Sequence, residues 1–226
     1  MIDKLLESIE VETGPKPTAS VIWMHGLGAD GNDFVPIVHE INLQGAPDIR
    51  FVFPHAPMLP VTINNGYVMR AWYDVGWGDL EGKTKQADEK GVRASQVAVG
   101  KLIEREVGRG ITSDKLILAG FSQGGAVALQ AGLRYPHRLA GVMALSTYLP
   151  LAESFAQEST QQNRKTPVFM AHGIQDAVVP YAMGTRSRDL LVHAGYDVEW
   201  REYPMQHSVC LEEIAHIGAW LTRVLA

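Results

Sequence analysis

The 226-residue sequence contains a single cysteine, Cys210, so a fold held by intrachain disulfides is excluded. It has no apolar stretch near the ~20 residues that a membrane-spanning helix needs, so we expect no stable membrane insertion. The formal net charge of −5 argues against a nucleic-acid partner, because nucleic-acid binders usually carry a basic patch. The first ten residues are acidic and amphipathic, unlike a secretory signal, and we therefore expect a cytoplasmic protein.

Short β-rich apolar segments alternate with longer amphipathic segments along the chain. Strands are predicted at Val21–His25, Arg50–Pro54, Lys115–Ala119, Leu139–Leu145, Pro167–Ala171 and Val198–Tyr203. Helices are predicted at Asp33–Ile41, Lys90–Val107, Gly124–Arg134, Met183–His193 and Glu212–Leu225. Most strand segments lack period-two alternation, as expected of strands covered on both faces. The pattern predicts an α/β fold with a mostly parallel central sheet, helices on both faces, and one domain over residues 1–226.

Residues 56–88 interrupt this alternation with a short insertion. Asn65-Gly66 lies between two β-rich triplets and predicts a hairpin turn. A segment of this length without regular alternation in a compact domain is usually functional or disordered. Its aromatic side chains are equally suited to lining a substrate pocket or packing in the core: Tyr67, Trp72, Tyr73 and Trp77.

The segment Gly120-Phe-Ser-Gln-Gly124 follows a predicted strand and opens a predicted helix. This is the G-x-S-x-G pattern in its required strand–turn–helix context, which identifies Ser122 as a candidate nucleophile. Side chains two residues to either side of the serine would collide with the neighbouring strand and helix. The helix N-terminus behind the serine would place partial positive charge where an oxyanion forms. The alternative is an ordinary glycine-rich turn.

A nucleophilic serine needs a histidine base and an acid that orients it, and in folds with this turn the acid and then the histidine follow the serine. His207 lies in a loop after the last predicted strand, from which a base can reach the turn. Asp176 follows another predicted strand end, whereas Asp189 lies within a predicted helix and Asp197 begins a strand. The remaining downstream histidines are explained by helix ends, helical faces or a strand end: His137, His172, His193 and His216.

Two backbone N–H groups are expected to face the developing oxyanion, one from Gln123 and one from the loop after an early strand, where Leu27 is the best candidate. The same loop matches the dinucleotide pattern G-x-G-x-x-G over residues 26–31. The acidic residue that should end the next strand is absent, so we expect no nicotinamide cofactor.

Three histidines lie at the ends of predicted strands: His25, His55 and His172. They lack the spacing of a metal-binding motif, so hydrogen-bonded structural histidines are favoured and no metal is expected. Cys210 is expected to be a small buried side chain.

Seven segments together resemble the phospholipase/carboxylesterase family of α/β-hydrolases, over about residues 18–224. They are His25–Gly31, Pro54–Pro57, Val61–Asn64, Ala71–Asp74, Gly120–Gly125, His172–Asp176 and the His207 loop. The resemblance implies an α/β-hydrolase fold, Ser122, Asp176 and His207 as catalytic triad, and Leu27 and Gln123 as oxyanion donors. It also implies a small carboxylic ester or thioester as substrate, no cofactor, and commonly a homodimer.

Two other functions are compatible with these residues. Another hydrolase of this fold, such as a peptidase or lactonase, would use the same triad. A non-catalytic binding protein would be expected to lose a triad member, and none is missing. One departure from the family pattern precedes the histidine, where Gln206 replaces the usual glycine. Either Gln206 adopts a strained positive φ, or the position needs only negative φ, and we favour the latter.

Overall fold

The structure, a computed structural model, describes residues 5–76, 78 and 88–226. Its strands are β1 (Ser8–Glu12), β2 (Ala19–Met24), β3 (Ile49–Pro54), β4 (Met58–Val61), β5 (Tyr67–Arg70), β6 (Leu116–Phe121), β7 (Gly141–Leu145), β8 (Val168–Gly173) and β9 (Val198–Tyr203). Its α-helices are α1 (Ile37–Glu40), α2 (Glu89–Gly108), α3 (Gln123–Gly132), α4 (Phe155–Glu158), α5 (Tyr181–His193) and α6 (Leu211–Leu225).

Seven strands form the central sheet in the order β1-β3-β2-β6-β7-β8-β9. Every neighbouring pair is parallel except β1 and β3, which run antiparallel. The six strands predicted from the sequence are therefore confirmed, and their mostly parallel arrangement is confirmed with them. Parallel strands share one carboxyl edge, so the loops after β2, β6, β8 and β9 meet at the same end of the sheet.

Helices cover both faces of the sheet, as predicted. Ile22 and Met24 of β2 point to one face, which is covered by α2, α3, α4 and α5. Val21 and Trp23 point to the other face, which is covered by α1 and α6. Because both sets are buried, the strand sequences are continuously apolar and do not alternate between apolar and polar residues. No helix within the described ranges combines the length and the apolar character needed to cross a bilayer.

The prediction of a helix over Asp33–Ile41 is wrong in its extent. Turns occupy residues 31–36, and α1 comprises only four residues. Pro36 lies within the predicted helix, and it has no N–H to donate and restricts the residue before it. The short α4 and the strand β1 were not predicted.

β1 is held at the sheet edge by ion pairs as well as by its backbone. Arg50 of β3 binds Glu12 of β1 at 2.9 Å and the buried Glu106 of α2 at 3.0 Å. Burial alone would raise the pKa of Glu106, but the Arg50 hydrogen bond and the charges of Arg105 and Arg109 hold it below the usual value. Paired in this way, the buried carboxylate stays ionised and links α2 to β3, the strand next to β1.

The predicted hairpin is confirmed, although its first strand ends at Val61, where the predicted triplet begins. β4 and β5 pair antiparallel, with Val61 opposite Tyr67. A 3₁₀ turn at Thr62–Asn64 joins them, followed by Asn65 and Gly66, which both have positive φ. This hairpin belongs to the predicted insertion at 56–88, of which residues 77 and 79–87 lie outside the described part of the chain.

Candidate active site

Ser122 lies on the sharp turn between β6 and α3, with φ 54° and ψ −122°. A non-glycine residue in such a conformation costs about 1–3 kcal/mol and persists only where its surroundings hold it. Its N–H donates to the Leu145 carbonyl at 2.8 Å, and its carbonyl accepts from the Ala126 N–H and the Thr147 hydroxyl. The strained turn is thus bonded to the next strand and to its own helix.

The glycines of the turn are required by close backbone contacts. A Cβ on Gly120 would lie 2.3 Å from the Gly124 carbonyl carbon, and one on Gly124 would lie 2.2 Å from the Met24 carbonyl oxygen. Real Cβ atoms do not approach backbone this closely. The collision expected from the sequence for positions two residues either side of Ser122 therefore matches the geometry.

The structure brings His207 and Asp176 together and places both beside the turn. His207 Nδ1 lies 2.7 Å from Asp176 Oδ2. The Phe121 ring, which precedes Ser122, packs 4.7 Å from the His207 ring. Since Nδ1 faces a carboxylate it carries the ring proton, and Nε2 is left as the basic nitrogen.

The side chain of Asp176 is fully buried and oriented by its own loop. Its Oδ1 accepts the N–H groups of Val178 and Val179, both at 2.9 Å. Its Oδ2, besides bonding His207, lies 3.4 Å from Nε2 of His172. The competing acids are elsewhere. Asp189 is exposed on α5 and pairs with Arg188, and Asp197 is exposed just before β9.

The loop that carries His207 packs against Gly173, a residue the sequence did not single out. A Cβ on Gly173 would lie 2.4 Å from the carbonyl oxygens of both Met205 and Gln206. The Gln175 N–H donates to the Met205 carbonyl at 3.1 Å. Gly173 therefore allows the acid loop and the histidine loop to touch.

A mostly apolar cavity of about 200 Å³ opens next to Ser122. It is lined by Leu27, Ile63, Asn64, Tyr73, Val75, Ser122, Gln123, Tyr148, Val178 and Val179. Of the aromatic residues proposed for a pocket, Tyr73 lines it and bonds Tyr148 through their hydroxyls at 3.0 Å. Tyr67 is exposed on the hairpin, and Trp77 lies outside the described residues.

Of the two roles considered for Trp72, lining the pocket is wrong, because its side chain is buried in the core. Its indole N–H donates to the His25 carbonyl at 2.9 Å. Its backbone N–H donates to the Gln123 side-chain oxygen at 2.8 Å, and the Gln123 side-chain nitrogen donates to the Tyr73 carbonyl at 2.7 Å. The side-chain amide of Gln123 thus connects residues 72–73 to the serine turn through two hydrogen bonds. This role was not predicted from the sequence.

Leu27 and Gln123, the predicted oxyanion donors, both line the cavity beside Ser122. A Cβ on Gly26 would lie 3.4 Å from the Ser122 Cβ, so the Leu27 segment passes directly against the serine. Gly28 has φ 79° and closes a turn there. Residues 26–31 lead into further turns rather than into a helix, unlike a dinucleotide-binding loop.

The three histidines at strand ends form hydrogen bonds to backbone groups. His25 contacts the Gly26 carbonyl and the Ala56 N–H, His55 accepts from the Gly31 N–H, and His172 contacts the Val179 carbonyl. Burial lowers the pKa of both His25 and His172. Among the residues that the structure describes, no group of three or more His, Cys, Asp or Glu is arranged to hold a metal. Cys210 is only half-buried before α6, so the expectation of a buried side chain is wrong.

Comparisons with known proteins agree on one family. A family model described as phospholipase/carboxylesterase matches residues 7–225. Acyl-protein thioesterase 1 of Neurospora crassa is 43% identical over 214 residues, covering 92% of this chain and 87% of that protein. The crystal structure of Arabidopsis thaliana SOBER1 is similar with a TM-score of 0.85 at 32% identity, covering 92% of this chain and 99% of that one. For Zea mays acyl-protein thioesterase 2 the TM-score is 0.84 at 28% identity, covering 97% and 99%.

Gln206, where the sequence departs from the usual glycine, is exposed and does not have a positive φ. Its side chain is not among those lining the cavity. The favoured alternative, a position that needs only negative φ, therefore agrees with the geometry.

We predict that Gln206→Gly lowers Tm by about 1–3 °C, because glycine adds conformational freedom to the unfolded chain without relieving strain. kcat and substrate range should stay unchanged, since the side chain lies outside the cavity. Thermal melts of the two proteins side by side measure the effect, and a higher Tm for the variant would contradict it.

Proposed function

This chain belongs to the phospholipase/carboxylesterase family, and on that premise we propose that it is a serine hydrolase that cleaves carboxylic esters and thioesters. One observation carries the proposal. A serine in a strained turn lies at an apolar cavity, beside a histidine whose Nδ1 is bonded to a buried carboxylate. A serine hydroxyl becomes an effective nucleophile only with such a base and acid.

In the proposed reaction, Ser122 attacks the acyl carbon while His207 Nε2 removes the hydroxyl proton. His207 then gives this proton to the leaving alcohol or thiol, and an acyl-serine remains. Water attacks this intermediate with His207 again as base, which releases the carboxylic acid and restores the serine. Asp176 keeps the proton on Nδ1 and stabilises the imidazolium that forms in each step.

The backbone N–H groups of Leu27 and Gln123 are the proposed oxyanion donors. Within the described part of the chain neither group donates a hydrogen bond to the protein, although both residues lie at the cavity. The Gln123 N–H is also the first of α3, where helix N–H groups have no partner within the helix. Both groups are therefore available to bind the negative oxygen of the tetrahedral intermediate.

The cavity suits the acyl part of the substrate. Among the described residues that line it, apolar side chains dominate and none is charged. Two relatives are named acyl-protein thioesterases, so we propose S-acylated proteins or peptides as substrates together with small oxygen esters, the latter corresponding to a carboxylesterase activity.

Three further expectations stay predictions. They are a single catalytic domain over residues 1–226, a homodimer, and a cytoplasmic location. No nucleic acid, metal or cofactor takes part in the proposed reaction.

We predict that Ser122→Ala lowers kcat for ester hydrolysis by about 10⁴-fold or more, because triad residues act as a unit. A fluorophosphonate probe should label the wild-type protein and not the variant. Unchanged thermal melts are the control for folding. If the variant kept more than a few per cent of kcat, Ser122 would not be the nucleophile, and labelling of neither protein would favour the non-catalytic alternative.

We predict that Asp176→Asn lowers kcat by about 10³- to 10⁴-fold. The amide oxygen can still accept from Val178 and Val179, but the amide N–H₂ would face His207 Nδ1 and favour the wrong tautomer. Asp189→Asn, an exposed change of the same chemistry, is the matched control and should stay within about twofold of wild type. Similar losses in both variants would show that the acid is misassigned.

The size of the cavity predicts the acyl preference. About 200 Å³ is smaller than the ~300–1,000 Å³ of pockets that enclose drug-sized ligands. We therefore expect kcat/KM to be higher for short and medium acyl chains than for long ones.

A panel of p-nitrophenyl esters from acetyl to palmitoyl measures this preference, with the matched thioesters, an S-acylated peptide and a lysophospholipid included. Peptide and lactone substrates test the rival hydrolase activities, and Ser122→Ala is the blank throughout. Sharp activation at the interface of an emulsified triglyceride would identify a true lipase instead.

A further inference from the structure

His25 directly follows β2, is buried, and is held in one protonation state by its neighbours. Its Nε2 lies 3.1 Å from the Ala56 N–H. A backbone N–H can only donate, so Nε2 accepts and carries no proton. Its Nδ1 lies 2.7 Å from the Gly26 carbonyl oxygen, which can only accept, so Nδ1 carries the proton and donates it. The ring is therefore neutral and has a single tautomer.

The carbonyl that His25 binds belongs to the peptide unit that ends in the Leu27 N–H. In a trans peptide the C=O and N–H groups lie in one plane and point in opposite directions. No cis peptide bond occurs among the described residues. A hydrogen bond that fixes the direction of the Gly26 carbonyl consequently fixes the direction of the Leu27 N–H.

The Gly26–Leu27 peptide has few other restraints. Gly26 has no side chain, and Gly28 on the far side has a positive φ, so glycine's backbone freedom applies on both sides of Leu27. The Gly26 carbonyl also accepts the Ala29 N–H, but at 3.3 Å. The imidazole bond is the shorter of the two, and it is the one made by a buried ring.

His25 is itself fixed from the opposite side. The indole N–H of Trp72 donates to the His25 carbonyl, and the two rings lie 5.4 Å apart. Trp72 is bonded in turn to the Gln123 side chain. The backbone of His25 is thus linked through Trp72 to the serine turn and not only to its own loop.

We propose that His25 is a positioning residue, whose Nδ1–H holds the Gly26–Leu27 peptide so that the Leu27 N–H faces the oxyanion formed on the Ser122 adduct. This inference rests on the proposed function, since the Leu27 N–H has an oxyanion to bind only if Ser122 attacks an acyl carbon. His25 does not touch the substrate, and it exchanges no proton during the reaction.

Two substitutions separate the roles of the two ring nitrogens. The amide nitrogen in His25→Asn stands at the position of Nδ1 and can still donate to the Gly26 carbonyl. The amide oxygen in His25→Gln stands near the position of Nε2 and can still accept from Ala56, while the donor to Gly26 is lost. The two variants are both neutral amides, so each is the control for the other.

We expect His25→Gln to lower kcat by about 10- to 100-fold with KM within about twofold, because a misdirected oxyanion donor weakens transition-state binding alone. His25→Asn should keep kcat within about fivefold of wild type. A trifluoromethyl ketone, which forms a tetrahedral adduct with the serine, should lose affinity for His25→Gln in parallel with kcat. A non-hydrolysable thioether analogue of the substrate should bind all three proteins alike.

kcat is expressed per active site titrated with a fluorophosphonate, so unfolded protein does not enter the comparison. Equal losses in the two variants, or a change in KM alone, would overturn the inference and identify His25 as merely structural. The wild-type protein gives a test without substitution, because ¹⁵N spectra must show His25 as the neutral tautomer protonated on Nδ1. Substantial activity in Ser122→Ala would instead refute the proposed function, independently of His25.

Discussion

The contact between the start of α3 and the end of β2 is the constraint on which the site depends. Gly124 packs so tightly on the Met24 and His25 carbonyls that no side chain fits between them. This contact brings the helix N-terminus behind Ser122 next to the strand that leads into Gly26 and Leu27. The strained serine and the two proposed oxyanion donors are therefore placed by one piece of backbone packing, and the strain at Ser122 is sustained by the core beneath it.

The features that could be predicted from the sequence are those with a local signature. The turn around Ser122 was recognisable because its glycines are close in sequence and each is required by a backbone contact. The sheet was recognisable because burial on both faces leaves uninterrupted apolar runs. β1 was missed because its attachment depends on pairing with β3 and on the ion pair between Glu12 and Arg50, which are far apart in sequence. Trp72 was misplaced, and Gly173 overlooked, for the same reason, since each is explained only by a partner from a distant loop.

Histidine has two physical roles at this end of the sheet. His25 and His172 are buried, burial lowers their pKa values, and each bonds backbone groups that fix its tautomer. An uncharged ring at position 172 matters because it lies 3.4 Å from the carboxylate that also binds His207. A second cation there would compete with the imidazolium for Asp176. His207 alone among these three combines partial exposure with a carboxylate partner, which is what a base that gains and loses a proton requires.

The residues that line the cavity differ in whether they also position a residue of the proposed triad. Val178 and Val179 line it, yet their N–H groups also hold Asp176 in place. Any substitution that shifts this backbone moves the acid, so a change in acyl preference on that side carries a cost in kcat. Ile63 and Asn64 also line the cavity, and they belong to the hairpin turn, which shares no hydrogen bond with Asp176 or His207 within the described part of the chain. Substrate range can therefore change through the hairpin while the triad geometry is kept, and on physical grounds differences in acyl preference between related proteins should concentrate there.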